Sequence, residues 1–526
     1  MKILSFLKKY LNKHKSKTIW FIFLGLVLWV ASILTPFIVG DYIDTLTGSD
    51  NTGIIWRVVA TLAVIWTLQI ILAYVKNMIS ARINTLISFD VNFDIIEHLK
   101  QLPMKYFTSK DPAYINQRVS SDSSNVTGFV LGSVLGLITT ALTFILALAI
   151  MFFINVEMTM MICLIFPVYI LIYIKFRQPL YDMGYKLAEE SNAFFSHKNK
   201  QLSNVKLIKQ NAWNERMGDE LQIEFGSLFK TTMQNAKLGY IFNNADTIVR
   251  YMANMIIFIY SGYQIMYGDM TIGQFTMINS YSLMVISSLS VFLGFGRSYR
   301  NSLVAYDRIQ EIYAEEQEQN GTIQLEEIKN IDIRNLNFNY GEKSIIQNLN
   351  TEFNKGNIYA IIGENGSGKS TLLDIITGLQ QDYTGDILYN GTSLKDLDAY
   401  HLRNHHIAVV EQEPNLYFDT IEENTTKIQS HQQTHNHLNY WLKRLSISEL
   451  ISLDNPSGGE KQRIATAIAL TKNANVLIMD EPNSALDKAS LQVLCDILYE
   501  IRDGKIIILV THSQQLISIC DFSIVL

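Results

Sequence analysis

The run Asn357-Ile-Tyr-Ala-Ile-Ile362, followed at once by Gly363-Glu-Asn-Gly-Ser-Gly368-Lys369-Ser370, decides the fold of the C-terminal half. Its first part is a short apolar stretch that reads as a buried strand. Its second part matches G-x-x-x-x-G-K-[ST], the loop that joins such a strand to a helix. The glycines let backbone N–H groups turn inward around phosphate, and the helix beginning near Ser370 aims its partial positive charge at the same anion. Gly363, Asn365, Gly366, Ser367, Gly368, Lys369, Ser370 and Thr371 form the expected ATP cradle, with Lys369 on the β and γ phosphates and Ser370 on Mg²⁺.

Further along, Val476-Leu-Ile-Met-Asp480-Glu481-Pro482 is a second apolar strand, ending in two carboxylates. A strand end places Asp480 beside the phosphate loop, where it holds the magnesium shell. Glu481, one residue on, orients and deprotonates an attacking water. Ile407 to Val410 and Lys505 to Val510 are further short apolar runs, separated by helical patterns. The expected class is an α/β domain with a largely parallel sheet.

Upstream the pattern changes. Thr18 to Gly40, Val58 to Val75, Ser123 to Val156, Met158 to Ile174, Tyr251 to Gly268 and Met270 to Gly296 carry no charge. A bilayer core needs about 20 such residues per helix. Six membrane spans are therefore expected, an all-α transmembrane domain over residues 1–320 with long cytoplasmic helical extensions, followed by the nucleotide-binding domain over 321–526. Lys2, Lys8, Lys9, Lys13, Lys15 and Lys17 precede the first span, while Asp41, Asp44 and Asp50 follow it, which puts the N-terminus in the cytoplasm. The apolar run is longer than a signal-peptide core, so it is expected to be retained. Ile3, Leu4, Phe6, Leu7 and Leu11 among the lysines suggest an amphipathic helix at the inner surface.

Composition agrees. Charged residues are 17% of the 526 and hydrophobic ones 48%, against roughly 25% charged in a soluble average. A net charge of −6 offers no basic footprint for nucleic acid. Cys163, Cys495 and Cys520 match neither a zinc spacing nor a disulfide framework.

Between the phosphate loop and the carboxylates lies Asn455-Pro-Ser457-Gly458-Gly459-Glu460-Lys461-Gln462-Arg463. It resembles the signature of ATP-binding cassette (ABC) proteins. Phe338 and Tyr340, Gln412 in Val-Glu-Gln-Glu-Pro, Ser484-Ala-Leu-Asp487 and Thr511-His512 follow that family's order. Leu102-Pro103-Met-Lys-Tyr-Phe107, Ile115 to Asp122 and Gly268-Asp-Met-Thr271-Ile-Gly273-Gln274 resemble loops of its exporter type. The resemblance implies a half-transporter, pairing as a homodimer in the bacterial plasma membrane with its nucleotide-binding domain in the cytoplasm. It further implies that Tyr340 stacks on adenine, that Gln412 reaches magnesium, that His512 holds the γ-phosphate and water, and that Ser457, Gly458, Gly459 and Asp487 serve the dimeric ATP site. Pro456 where the family has Leu, Ile468 where Arg is common, a short interval from Gln412 to Ser457 and an end at Leu526 without the usual final strand and turn depart from the pattern.

The resulting expectation is ATP-driven export of a peptide, lipid or amphipathic small molecule. An importer on the same fold and a membrane-anchored regulatory ATPase are the alternatives. At 100° per residue, Asn243, Asp246, Arg250, Asn254, Ser261 and Gln264 share one face of the fifth span, opposite Ile248, Met252, Ile256, Ile259 and Tyr263. A face that polar turns to a substrate cavity or to polar partners on neighbouring helices, not to lipid.

Overall fold

The computed structural model describes residues 2–48, 52–110, 115–116, 118–341, 343–417, 421, 434–447 and 456–526. It divides into two compact units, one of Met1–Ile96 with Asn116–Ile312 and one of Glu97–Ile115 with Tyr313–Leu526.

The first unit is helical. After α1 (Lys2–Lys13) come α2 (Lys15–Gly48) and α3 (Thr52–Leu99), whose last residues, with α4 (Met104–Ser109), belong to the second unit. The third span is α5 (Ser123–Gly128) and α6 (Leu135–Ile154), flanked and joined by π-helical turns at Arg118–Asp122 and Phe129–Val134. There follow α7 (Val156–Cys163), α8 (Phe166–Ser203), α9 (Val205–Gln210), α10 (Asn214–Tyr267) and α11 (Ile272–Tyr313).

Sequence dictates the breaks. Asn155 ends α6 and caps α7, its side chain accepting from Met158 N at 2.9 Å. Gly268, at φ +80°, closes α10 in the left-handed conformation that glycine alone adopts without strain. Among the described residues five stretches, Lys15–Thr47, Ile55–Leu99, Arg118–Ile154, Val156–Ser203 and Ile272–Tyr313, are long and apolar enough to cross a membrane. The expected fifth span, Tyr251 to Gly268, ends α10 and is not among these, because Asn254, Gln264 and four tyrosines dilute it.

Much of the apolar side of α1 is taken up by protein, while Leu4 stays exposed. Ile3, Leu7 and Tyr10 are buried, Lys9 and Tyr10 bond Asp94 at 2.7 and 2.9 Å, and Lys13 and His14 bond Asp90 at 2.6 and 2.8 Å.

The second unit holds two sheets built from β1 (Asn330–Tyr340), β2 (Lys343–Asn354), β3 (Ile358–Ile362), β4 (Thr384–Tyr389), β5 (Thr392–Ser393), β6 (Ile407–Val410), β7 (Val476–Asp480), β8 (Ile506–Val510) and β9 (Phe522–Val525). The parallel sheet has the order β6-β7-β8-β3-β9 and the antiparallel one β2-β1-β4-β5. The central strands are buried on both faces: Tyr359, Ile361, Ile478 and Ile508 enter one core, and Ile358, Leu477, Met479 and Ile507 the other. That is why they read as unbroken apolar runs rather than alternating ones.

The antiparallel sheet has no counterpart among the strands expected from sequence. Its β1–β2 register shifts around Leu336 and Phe338, and Asn335 and Asn348 take positive φ of 49° and 47°, so bulges break the period-two pattern that would have revealed it. The helices of this unit include α12 (Lys369–Ile376), α13 (Ala399–His401), α14 (Thr434–Arg444), α15 (Gly458–Thr471), α16 (Lys488–Ile501) and α17 (Gln514–Ile517).

Candidate functional site

Four neighbouring strands of the parallel sheet deliver the site at their C-terminal ends, where ligands gather in open α/β sheets. β3 leads into the phosphate loop. Gly366 and Gly368 stand at φ +85° and +101°, and a Cβ on Gly368 would lie 2.5 Å from Ile345 Cγ2, so this turn admits only glycine. Lys369 is 8% exposed and donates from Nζ to Gly363 O at 2.7 Å and Glu364 O at 3.0 Å, which folds the ammonium into the loop's concavity. Ser367 Oγ is buried there without a hydrogen-bond partner. Asn365 lies in the loop and Thr371 in the first turn of α12.

β7 ends at Asp480, whose Oδ2 accepts from Ser370 Oγ at 2.8 Å. Glu481 turns out of the strand with φ +44°, anchored by its N–H on Val510 O at 2.8 Å. Left-handed backbone at a non-glycine residue persists where surrounding contacts over-determine it. Here those contacts aim the carboxylate: Gln412, just beyond β6, donates from Nε2 to Glu481 Oε2 at 3.1 Å, and His512, just beyond β8, stands with Nε2 4.0 Å from Oε1.

The donor set suits a hard dication. Ser370 Oγ and the Asp480 carboxylate are already in contact, and Gln412 Nε2, by bonding Glu481, leaves its Oε1 as a further oxygen donor. Oxygen-only, carboxylate-poor ligation that leaves room for phosphate oxygens and water is what magnesium takes.

Beside these residues opens a cavity of about 270 Å³, lined among others by Ser370, Asp374, Glu411, Asp480, Arg403 and Lys472. Burial, with Glu411 and Asp480 nearby, pushes the Asp374 carboxyl up to about 6. Burial lowers the Lys472 ammonium to about 8, and its Nζ donates to Arg403 O and Ile407 O at 2.5 and 2.6 Å. Asp374, Glu411 and Lys472 escape motif reading. The available signals are that Asp374 follows Ser370 by one helical turn and that Glu411 adjoins Gln412.

Other expected residues stand apart from this cluster. Tyr340 is 54% exposed at the end of β1, its ring edge-on to Phe338 at 4.8 Å, a free aromatic face on a fixed support. Ser457 caps α15, accepting from Glu460 N at 3.3 Å while Glu460 reaches back to Ser457 N at 2.7 Å. A Cβ on Gly459 would lie 2.6 Å from Ala485 O, which explains that glycine by close packing. Asp487 caps α16 through Ser490 N at 2.8 Å.

Along the polar face of α10, Gln264 accepts from Asn155 at 3.1 Å and donates to Tyr260 OH at 2.9 Å, and Tyr260 in turn bonds Glu157. Arg250 donates to Ser290 Oγ of α11 at 3.2 Å, and Ser261 is buried with its hydroxyl on Ile257 O. Asn254 Oδ1 is buried without a partner, and Asn243 is exposed. The side chain of Asp246 lies outside the described residues. Ile248, Met252, Ile259 and Tyr263 on the opposite face are exposed.

Comparison with known proteins identifies both halves. Residues 18–289 match the ABC transporter transmembrane region and residues 346–484 the ABC transporter family. A protein of Haemophilus influenzae named as an ABC transporter ATP-binding/permease protein is 33% identical over 267 residues, 48% of this chain, and the match spans about half, 47%, of that relative. YgaD of Bacillus subtilis, named for multidrug export, is 22% identical across 98% of this chain and 93% of its own length. A bacterial Atm1-family ABC exporter solved with ATP bound shares the fold, with a TM-score of 0.81 at 17% identity, covering 97% of this chain and 93% of that one. With the transmembrane region alone filling over half of its residues and the ATP-binding domain following it, the chain belongs to the ABC transporter family, as an integral membrane ATPase coupled to transport.

Proposed function

We propose that the protein is an exporter that works as a homodimer in a bacterial plasma membrane, moving a peptide, lipid or amphipathic small molecule outward by alternating access. The observation that carries the reading is the meeting of Ser370 with Asp480, and of Gln412 and His512 with Glu481, at one sheet edge of a chain that also carries the membrane helices. The export function in the name of the full-length Bacillus relative supports the direction.

In this reading Lys369 leaves the carbonyls of Gly363 and Glu364 for the β and γ phosphates, and Tyr340 stacks on adenine. Ser370, Gln412 and Asp480 would hold magnesium, which would supply charge neutralisation at the phosphate oxygens. Glu481 takes the proton of the attacking water. His512 donates to the γ-phosphate and keeps the water in line. Ser457, Gly458, Gly459 and Asp487 close the site of the opposite chain, so hydrolysis and dimer closure become one event. Asn243, Asp246, Arg250, Asn254, Ser261 and Gln264 supply the polar side of the transport path.

Reconstitution of the single purified chain into vesicles tests this. Dimers that hydrolyse ATP, respond to a panel of amphipathic compounds and move a responding compound in one direction support it. Persistent monomers without ATPase activity would overturn the homodimer, and ATPase without movement of any responding compound would overturn export.

A further inference from the structure

Lys2, Lys8, Lys9, Lys13, Lys15 and Lys17 precede the first span, and the first acidic residue of the chain is Asp41. Packing within the first unit neutralises two of these lysines. Lys9 meets Asp94 at 2.7 Å and Lys13 meets Asp90 at 2.6 Å, both on α3, while Ile3, Leu7 and Tyr10 are buried. Among the described residues Lys2, Lys8, Lys15 and Lys17 meet no carboxylate, and all but the half-buried Lys17 are exposed. The folded chain thus separates lysines that hold α1 in place from lysines left facing outward.

The depth of this surface follows from α2 and α3. The uncharged run of α2 begins at Thr18, and that of α3 ends at Val75. Lys76 brings its Nζ within 5.7 Å of the centre of the Phe21 ring, and its Cε lies 3.8 Å from where a Cβ on Gly25 would stand. It therefore lies one to two helical turns from Lys17, within snorkelling reach of the same membrane boundary. Trp20 and Tyr74, 56% and 66% exposed, sit just inside the two ends, as aromatic rings do at a headgroup boundary. On α1, Leu4 and Lys8 are one turn apart and both exposed, so an apolar group and an ammonium are presented together.

This pairing of groups selects among anions. Exposed Leu4, Ile19 and Trp20 call for hydrocarbon, which a soluble anion does not bring. The unpaired ammonium groups call for net negative charge, which a zwitterionic headgroup does not bring. Both come together in an acidic lipid, and each lysine near an anionic surface adds roughly fivefold in affinity. We propose that α1 and the entry to α2 form a docking surface for anionic phospholipids, with Lys2, Lys8, Lys15 and Lys17 on the headgroups and Leu4 and Trp20 against the acyl chains. Its place in the cytoplasmic leaflet rests on the membrane orientation proposed above, whereas binding itself does not, and the test reads binding alone.

Full-length protein in detergent is titrated with an equimolar mixture of phosphatidylglycerol and phosphatidylcholine, and the retained lipids are counted by native mass spectrometry. At least a fivefold preference for phosphatidylglycerol is expected, falling to within about twofold in K2Q/K8Q/K15Q/K17Q. That variant leaves the pairs of Lys9 and Lys13 intact, so its elution and its ATPase activity in detergent are expected to match wild type. Wild type supplies a second measurement, independent of any variant: the preference shrinks as salt is raised, because exposed charges are screened. The control K186Q/K198Q/K200Q/K206Q removes four lysines elsewhere and should keep the preference. Absence of a preference in wild type, a preference indifferent to salt, an unchanged preference in K2Q/K8Q/K15Q/K17Q, or an equal loss in the control would overturn the assignment.

Discussion

Gln412 Nε2 donates to Glu481 Oε2 across 3.1 Å, so the side chain expected at magnesium also holds the side chain expected to act as base. The bond joins the ends of β6 and β7, and it restrains a glutamate whose own backbone is in the left-handed region at φ +44°. Position and protonation are therefore separable at Glu481. Glu481→Gln retains size and the polar contact but removes the basic oxygen. ATP binding is expected to persist while turnover falls by about 10²-fold or more, the scale of a lost general base. Near-normal hydrolysis in this variant would remove Glu481 from that role.

Lys369 is nearly buried and satisfied by two loop carbonyls at 2.7 and 3.0 Å. Losing it leaves those carbonyls and the phosphates without a cation. A charge-assisted hydrogen bond contributes about 1.5–3 kcal/mol, so Lys369→Ala is expected to weaken ATP binding by roughly 10- to 100-fold. Equilibrium binding of a fluorescent ATP analogue distinguishes this from the Glu481→Gln phenotype. Equal affinity in wild type and Lys369→Ala would contradict the cradle geometry.

Much of this site is legible in sequence because each part sits at the end of an apolar run: Ile362 before the loop, Met479 before Asp480, Val410 before Glu411 and Gln412, Val510 before Thr511 and His512. What is not legible depends on distant chain segments meeting. Asp374 gains its surroundings from Glu411 and Asp480, over 30 and 100 positions away. Asn155, the donor to Gln264, and Glu157, the acceptor for the neighbouring Tyr260, lie about a hundred positions before them. The sequence offers the polar face of α10, but only packing assigns Arg250 to Ser290 and leaves Asn254 Oδ1 unpartnered.

Asp398 fastens the segment that enters the second unit. Its carboxylate accepts from Asn320 and Gln324 at 3.0 Å each and from His401 N at 3.1 Å, and these hydrogen bonds hold its pKa down to about 2. Because the folded value is lowered, the stabilisation is present above pH 4 and is lost as pH falls toward 2. Asp398→Ala, by loss of a helix cap, is expected to cost about 1 kcal/mol at pH 6. Thermal unfolding of the full chain in detergent should show the gap between wild type and variant narrowing from pH 4 downward. A gap independent of pH would assign the loss to something other than the carboxylate.

At the N-terminal end of α11, Asp44 of α2 accepts from Thr271 Oγ1 at 2.6 Å and Gly273 N at 2.7 Å, and a Cβ on Gly273 would lie 2.1 Å from Gly40 O. Backbone cannot yield to that overlap without the helices separating. Gly273→Ala is expected to lower the unfolding temperature more than Asp44→Asn, which keeps one acceptor oxygen. The reverse order would show that the carboxylate, not the close approach, holds the two helices.

Arg250 and Asn254 lie one turn apart on α10, yet their surroundings differ, and so should their substitutions. Arg250 bonds Ser290, so Arg250→Ala removes a helix–helix contact and is expected to reduce stability along with any effect on transport. Asn254 has a buried, unpartnered amide oxygen, an arrangement that itself opposes folding by about 1–3 kcal/mol. Asn254→Leu removes that burden and is expected to leave the unfolding temperature unchanged or higher, with basal ATPase retained. Under the proposed function Asn254 faces the transport path, so the compounds that stimulate the ATPase should change in Asn254→Leu. Comparing a panel of amphipathic stimulators on the two variants at equal protein reads this directly. An unaltered stimulation profile in Asn254→Leu, or loss of folded protein, would return Asn254 to a packing role.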